Sequence, residues 1–72
     1  MVIAEASVDL WVQRVRAEYL EMPGLSLTKW QMRRLWLLDV SLCDAVVESL
    51  VKSAFLGRGN NDTYVRVGDH VV

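Results

Sequence analysis

The sequence predicts a mainly α-helical domain with a small β-sheet, in the order helix, short strand, helix, helix and β-hairpin. Apolar residues recur at helical spacing up to residue 54, and the spacing changes after it. Turn-forming residues separate the segments. The 72 residues have room for one domain, spanning 1–72, and we expect its core at about 5–67 and a frayed tail at 68–72.

The first helix is predicted over residues 5–21, and Pro23 with Gly24 should end it. Six apolar side chains fall on one stripe of about 100°. They are Val8, Trp11, Val12, Val15, Tyr19 and Met22. Residues 25–27 are then predicted to form a very short strand.

Thr28 and Gln31 have the spacing of a capping box, which predicts the start of a second helix of about ten residues. Its inner face should carry Met32, Leu35 and Trp36, at positions i, i+3 and i+4.

The third helix should begin near Asp39 or Ser41, because both side chains can cap a helix and Ser41 with Asp44 repeats the capping-box spacing. The expected buried side consists of Cys43, Val46, Val47, Leu50 and Ala54. Residues 55–67 should form two antiparallel strands around a turn at 59–62, where Gly and Asn supply positive φ angles. Residues 25–27 should pair beside this hairpin.

This order of elements is that of the winged helix-turn-helix fold. Residues 25–67 resemble the DNA-binding core of MarR-type and related bacterial winged-helix regulators. Leu38-Asp39 stands where that family has Leu-Ser before the third helix, and Leu50 follows eleven residues after the cap. Ala54-Phe55-Leu56 replaces the usual Gly-Leu-Ile before the wing.

A second resemblance covers most of the chain. Residues 18–28, with Trp36 and Cys43, are similar to a group of short bacterial proteins that has no known activity. Two positions depart from the winged-helix pattern. The turn between the second and third helices usually holds a glycine, and here it holds Leu37, while Ala54 replaces the glycine before the wing. A positive φ at Ala54 is therefore either absent or strained.

Composition argues against several classes of protein. Eight Lys and Arg against nine Asp and Glu give a net charge of −1, which is not typical of a protein held chiefly by phosphates. No run of 18 apolar residues and no signal-peptide pattern occurs, so we expect a cytoplasmic protein. The hydrophobic fraction of 53% is high for this length, which favours an apolar surface reserved for a partner.

Catalytic residue patterns are missing from the sequence. The single histidine, His70, lies in the tail, and the single cysteine, Cys43, lies on an apolar helix face where a thiol is inert. Gly57-Arg58-Gly59 neither follows a buried strand nor opens a helix, so it is no phosphate loop. We expect no enzyme, no cofactor, no metal and no small-molecule substrate.

The resemblance implies transcriptional regulation, with the third helix in the major groove of double-stranded DNA. Its predicted outward positions are Ser41, Asp44, Ala45, Glu48, Ser49 and Lys52. This set lacks the Arg, Asn and Gln side chains that recognise bases best, so Ser41 is the best candidate for a base contact. Phosphate contacts would come from five basic residues: Lys29, Arg33, Arg34, Arg58 and Arg66. Such binding should be weak and strongly salt-dependent.

The alternative is a protein-contact or self-associating module that does not bind DNA. Trp30 and Leu37 should lie together on the outer side of the second helix, near Arg33 and Arg34, and Trp and Arg are typical of interface hot spots. Leu10, with Ala6 and Ala17, forms a weaker stripe on the first helix. Either patch predicts a homodimer. In a third interpretation Trp30 packs on the first helix and completes the core. DNA binding ranks first by a small margin.

Overall fold

The computed structural model describes residues 5–67, with side chains from residue 7 onward. The elements are α1 (Glu5–Glu21), β1 (Ser26–Thr28), α2 (Lys29–Trp36), α3 (Val40–Lys52), β2 (Leu56–Arg58) and β3 (Thr63–Arg66), with a 3-10 turn at Asn60–Asp62 between the last two strands. The sheet is antiparallel in the order β1-β3-β2. The predicted fold class, three helices with a small β wing, is confirmed for these residues. The expected tail, His70 and the Ala6 side chain lie outside the described part.

The core lies between α1, α3 and the sheet. Nine apolar side chains are buried there: Val15, Tyr19, Met32, Leu38, Cys43, Val46, Val47, Leu50 and Leu56. The Tyr19 hydroxyl donates a hydrogen bond of 2.8 Å to the Tyr64 carbonyl, which joins α1 to β3. Because the apolar side of α3 faces this core, its opposite side is directed to solvent.

Side-chain caps set where α2 and α3 begin. The Thr28 hydroxyl accepts from the Gln31 amide at 3.0 Å, and the Gln31 side chain accepts from the Thr28 amide at 2.9 Å, so the predicted capping box is confirmed. Asp39, one of the two predicted caps for α3, accepts from the Leu42 amide at 2.7 Å. Ser41 therefore lies inside the first turn of α3 rather than at its cap.

The predicted inner face of α2 is partly wrong. Met32 is buried and Trp36 is half-buried, but Leu35 is 59% exposed. Lys29 and Arg33 are half-buried instead, as long side chains with aliphatic stems often are. The helix is also shorter than predicted, with eight residues instead of about ten.

Two apolar residues near helix ends were also wrongly assigned to the inward sides of their helices. Met22 follows the last residue of α1 and is exposed. Ala54 follows the end of α3, is exposed, and has a left-handed backbone with φ of 64°. The other four residues of the predicted α3 core are buried as expected.

The hairpin and its pairing with β1 are confirmed, whereas the turn chemistry differs from the prediction. Positive φ angles occur at Asn61 and Asp62, while Gly59 has a φ of −107°. In β1–β3 pairing Leu27 lies opposite Tyr64, and in β2–β3 pairing Gly57 lies opposite Val65. This pairing places the wing, which is the hairpin of β2 and β3, beside the outward side of α3.

Candidate functional site

A groove separates α3 from the hairpin of β2 and β3. It has a volume of about 440 Å³ and is lined by Lys29, Asp44, Val47, Glu48, Val51, Arg58 and Tyr64. Lys29 Nζ lies 3.0 Å from Asp44 Oδ1, and this hydrogen bond raises the pKa of Lys29. Arg58 is paired with Asp62 across the hairpin turn. Both cations of the groove are thus already neutralised by carboxylates.

The outward side of α3 is acidic, as predicted. Asp44 and Glu48, one helical turn apart, are exposed, and so are Ser41, Ser49 and Lys52. Ala45, predicted to be exposed, is half-buried. A phosphate backbone approaching this side would meet the like charge of Glu48 beside the Asp44–Lys29 ion pair.

The five basic residues among the predicted DNA contacts line three different hollows. Lys29 and Arg58 line the groove, whereas Arg33 and Arg34 line a separate hollow on α2. Arg66 lines a third hollow with Arg16 and Phe55, next to the end of α1. Ser41 is exposed in the first turn of α3.

The exposed side of α2 carries several apolar side chains near two of these cations. We call Trp30, Arg34, Leu35 and Leu37 the α2 face. Trp30 is 61% exposed and Leu37 is 89% exposed. Both line a hollow of about 430 Å³, which confirms that they lie together. The interpretation that Trp30 completes the core is wrong, because more than half of its surface is accessible.

Trp30 and Arg34 form a ridge between two hollows. The Arg34 guanidinium carbon lies 5.0 Å from the centroid of the Trp30 ring, at cation–π distance. Leu37 and Leu38 line the hollow on one side of this ridge, and both ridge residues also line a second hollow of about 350 Å³ with Leu27, Gln31 and Leu35. The sequence interpretation missed Leu35 because it assigned that residue to the core.

Leu37 has a strained backbone, and burial of its side chain does not compensate for the energetic cost of that strain. It ends α2 with φ of 56° and ψ of 44°, in the left-handed region, and its amide donates to the Arg33 carbonyl. Helices commonly end on a glycine in this conformation, because any Cβ adds a steric cost. The exposed Leu37 side chain recovers almost no burial energy. Within the described fold, a leucine is therefore less favourable than a glycine at this position.

We expect Leu37→Gly to raise the free energy of unfolding by about 0.5–1 kcal/mol, since relief of strain exceeds the added entropy of the unfolded chain. For a domain of this size that is an increase in melting temperature of roughly 3–6 °C, measured by circular dichroism. Ala54→Gly is the matched control, because Ala54 also has a left-handed backbone but lies away from the α2 face. A lower melting temperature for Leu37→Gly would show that its side chain stabilises the fold.

The second predicted patch lies on α1. Leu10 is 65% exposed and Ala17 is also exposed, as expected. Gln13 and Arg14 lie between them on the helix surface and are exposed as well. This patch is therefore more polar than the α2 face.

Cys43 is buried, as predicted, and its thiol donates to the Lys29 carbonyl at 3.7 Å. Burial raises the pKa of this thiol, which lowers its reactivity. Among residues 5–67, no group of three His, Cys, Asp or Glu side chains is placed to hold a metal ion. No helix in that part of the chain is long and apolar enough to cross a membrane.

Comparison of the chain with known protein families, with curated proteins and with solved structures finds no match in any of the three.

Proposed function

We propose that this chain is a non-enzymatic winged-helix module that binds another protein through the α2 face. The observation that carries the proposal is Leu37, a strained residue with an almost fully exposed side chain beside an exposed tryptophan. Strained backbone is concentrated at binding sites, where it is part of the function. Trp and Arg are the side chains that contribute most to protein interfaces.

The charges of the groove favour a protein over DNA as the partner. A DNA-binding groove offers free cations to phosphates, but here Lys29 and Arg58 are each paired with a carboxylate. DNA bound there would bring phosphates near Glu48 and near the carboxylates of both pairs.

Site-specific photo-crosslinking in cells that express the chain tests this proposal. A photoreactive residue replaces Leu35 on the α2 face in one variant and Glu48 on α3 in another, since both are exposed helical positions. We expect the variant at position 35 to crosslink a protein and the variant at position 48 not to crosslink it. Trp30→Ala should abolish the crosslink. Crosslinks to nucleic acid at position 48, with none to protein at position 35, would overturn the proposal.

Weak binding to double-stranded DNA is the second candidate function. The order of elements and the resemblance to MarR-type regulators favour it, as do the exposed Ser41 at the start of α3 and the exposed Arg34. In this role Lys29, Arg33, Arg34, Arg58 and Arg66 would contact phosphates, and transcriptional regulation would follow from occupancy of the site.

We expect Asp44→Lys combined with Glu48→Lys to tighten binding to a random duplex by at least about tenfold at low salt, because two repulsive charges become two phosphate contacts. Fluorescence anisotropy of a labelled duplex at several salt concentrations measures the change. Asp9→Lys with Glu21→Lys is the control, since it alters the net charge equally from two exposed positions on α1. Equal tightening by both double variants would show that α3 does not face DNA.

A further inference from the structure

The α2 face and its two hollows are basic as well as apolar. Arg33 and Arg34 supply the charge, and no carboxylate is among the residues that line the two hollows. The two acidic residues nearest in sequence are already engaged within the fold. Asp39 caps α3 through the Leu42 amide, and Asp44 is paired with Lys29. Among the described residues that line the two hollows, the positive charge therefore has no acidic counterpart.

The shape of this surface adds a second constraint. The Trp30–Arg34 ridge separates a hollow with leucines 37 and 38 from a hollow with leucines 27 and 35. A ligand that covers both hollows must place apolar groups on either side of the ridge. Between those groups it must pass over the Arg34 guanidinium, whose plane is held near the indole. Guanidinium N–H groups prefer carboxylate oxygens, which they contact in pairs.

We infer that the occupant of the α2 face is an acidic amphipathic segment of another protein, an inference that rests on the proposed function. Apolar side chains of the segment enter the two hollows, and a carboxylate between them binds Arg34. Arg33 contributes further positive charge at the edge of the larger hollow, where its Nε is buried and has no hydrogen-bond partner within the described chain.

A second copy of the chain is a poorer occupant. A two-fold axis through the α2 face would bring Arg33 and Arg34 close to the same two residues of the other copy, and like charges at an interface oppose association. DNA supplies phosphates for the arginines but no apolar side chains for the hollows. The acidic amphipathic segment satisfies both requirements.

Selection of peptides from a random displayed library on the full chain tests this inference. We expect the selected peptides to carry a net negative charge and apolar residues on both sides of an acidic one. Arg34→Glu and Trp30→Ala should each weaken the binding of these peptides at least tenfold. Lys52→Glu is the matched control, because it makes the same charge change at an exposed position on α3 and should leave the affinity unchanged.

Three other results bear on the inference and on the proposed function. Peptides that depend on Trp30 but are neutral or basic would overturn the inference and leave protein binding through the α2 face intact. An absence of peptides that depend on Trp30 would overturn both. Sedimentation of the chain as a dimer that Trp30→Ala dissociates would identify a second copy as the occupant and would also overturn the inference.

Discussion

The free energy of unfolding is expected to fall by about 2 kcal/mol as the pH rises from 10 to 12, mainly because of Tyr19. Tyr19 is fully buried, and burial raises the pKa of its hydroxyl from 10.0 to about 12, against a smaller opposing contribution from the backbone of Leu27. Between these two pKa values the folded chain keeps the proton that the unfolded chain loses. The stabilisation is therefore complete below pH 10 and is lost as the pH approaches 12.

Urea unfolding at a series of alkaline pH values measures this loss, and Tyr19→Phe provides the comparison. The Phe variant should be less stable at neutral pH by about 1 kcal/mol, because the Tyr64 carbonyl loses its donor. Its stability should then change much less between pH 10 and 12. Lys29, whose pKa Asp44 raises, contributes in the same direction in both chains. An equally steep fall in the Phe variant would contradict the role of Tyr19.

Trp30→Ala is expected to weaken binding of the acidic peptides selected on the parental chain by about thirtyfold or more, which corresponds to an interface hot spot. The ring forms one side of both hollows and supports the Arg34 guanidinium, so its removal affects every contact in the α2 face. Isothermal titration calorimetry with one selected peptide measures the affinity.

Leu10→Ala is the control for this substitution. Leu10 is 65% exposed, close to the 61% of Trp30, but it lies on α1 among polar residues. We expect it to leave the peptide affinity unchanged. Equal losses from the two variants would indicate that binding follows general surface hydrophobicity, and the α2 face would then have no special role.

Elements with strong local signals were predictable from the sequence. The amphipathic stripe of α1, the capping box at Thr28 and the buried side of α3 all depend on residues within one or two turns of each other, and each is confirmed except at Met22 and Ala54, which are exposed. The face of α2 was harder to predict, because Lys29 and Arg33 occupy positions that a hydrophobicity pattern assigns to solvent. Long side chains of this kind can be partly buried despite their charge, whereas Leu35 is exposed.

Part of the candidate site was also predictable from the local spacing of apolar residues. Trp30 and Leu37 fall off the buried stripe of α2, so the sequence predicted that they lie together outside the core, and the structure confirms this position. The pairing of Lys29 with Asp44 was not predictable, since it joins two different helices. That pair lowers the positive charge available to DNA, and it depends on tertiary packing that no local spacing shows.

Leu37→Gly, measured for melting temperature and for affinity toward one selected acidic peptide, tests the central claim most directly. The claim is that glycine at this position would make the fold more stable, and that the leucine side chain contributes to binding. We predict a higher melting temperature together with an affinity lowered by about tenfold, which corresponds to the loss of one buried apolar side chain at an interface. A higher melting temperature with an unchanged affinity, or a joint fall of both quantities, would contradict the claim.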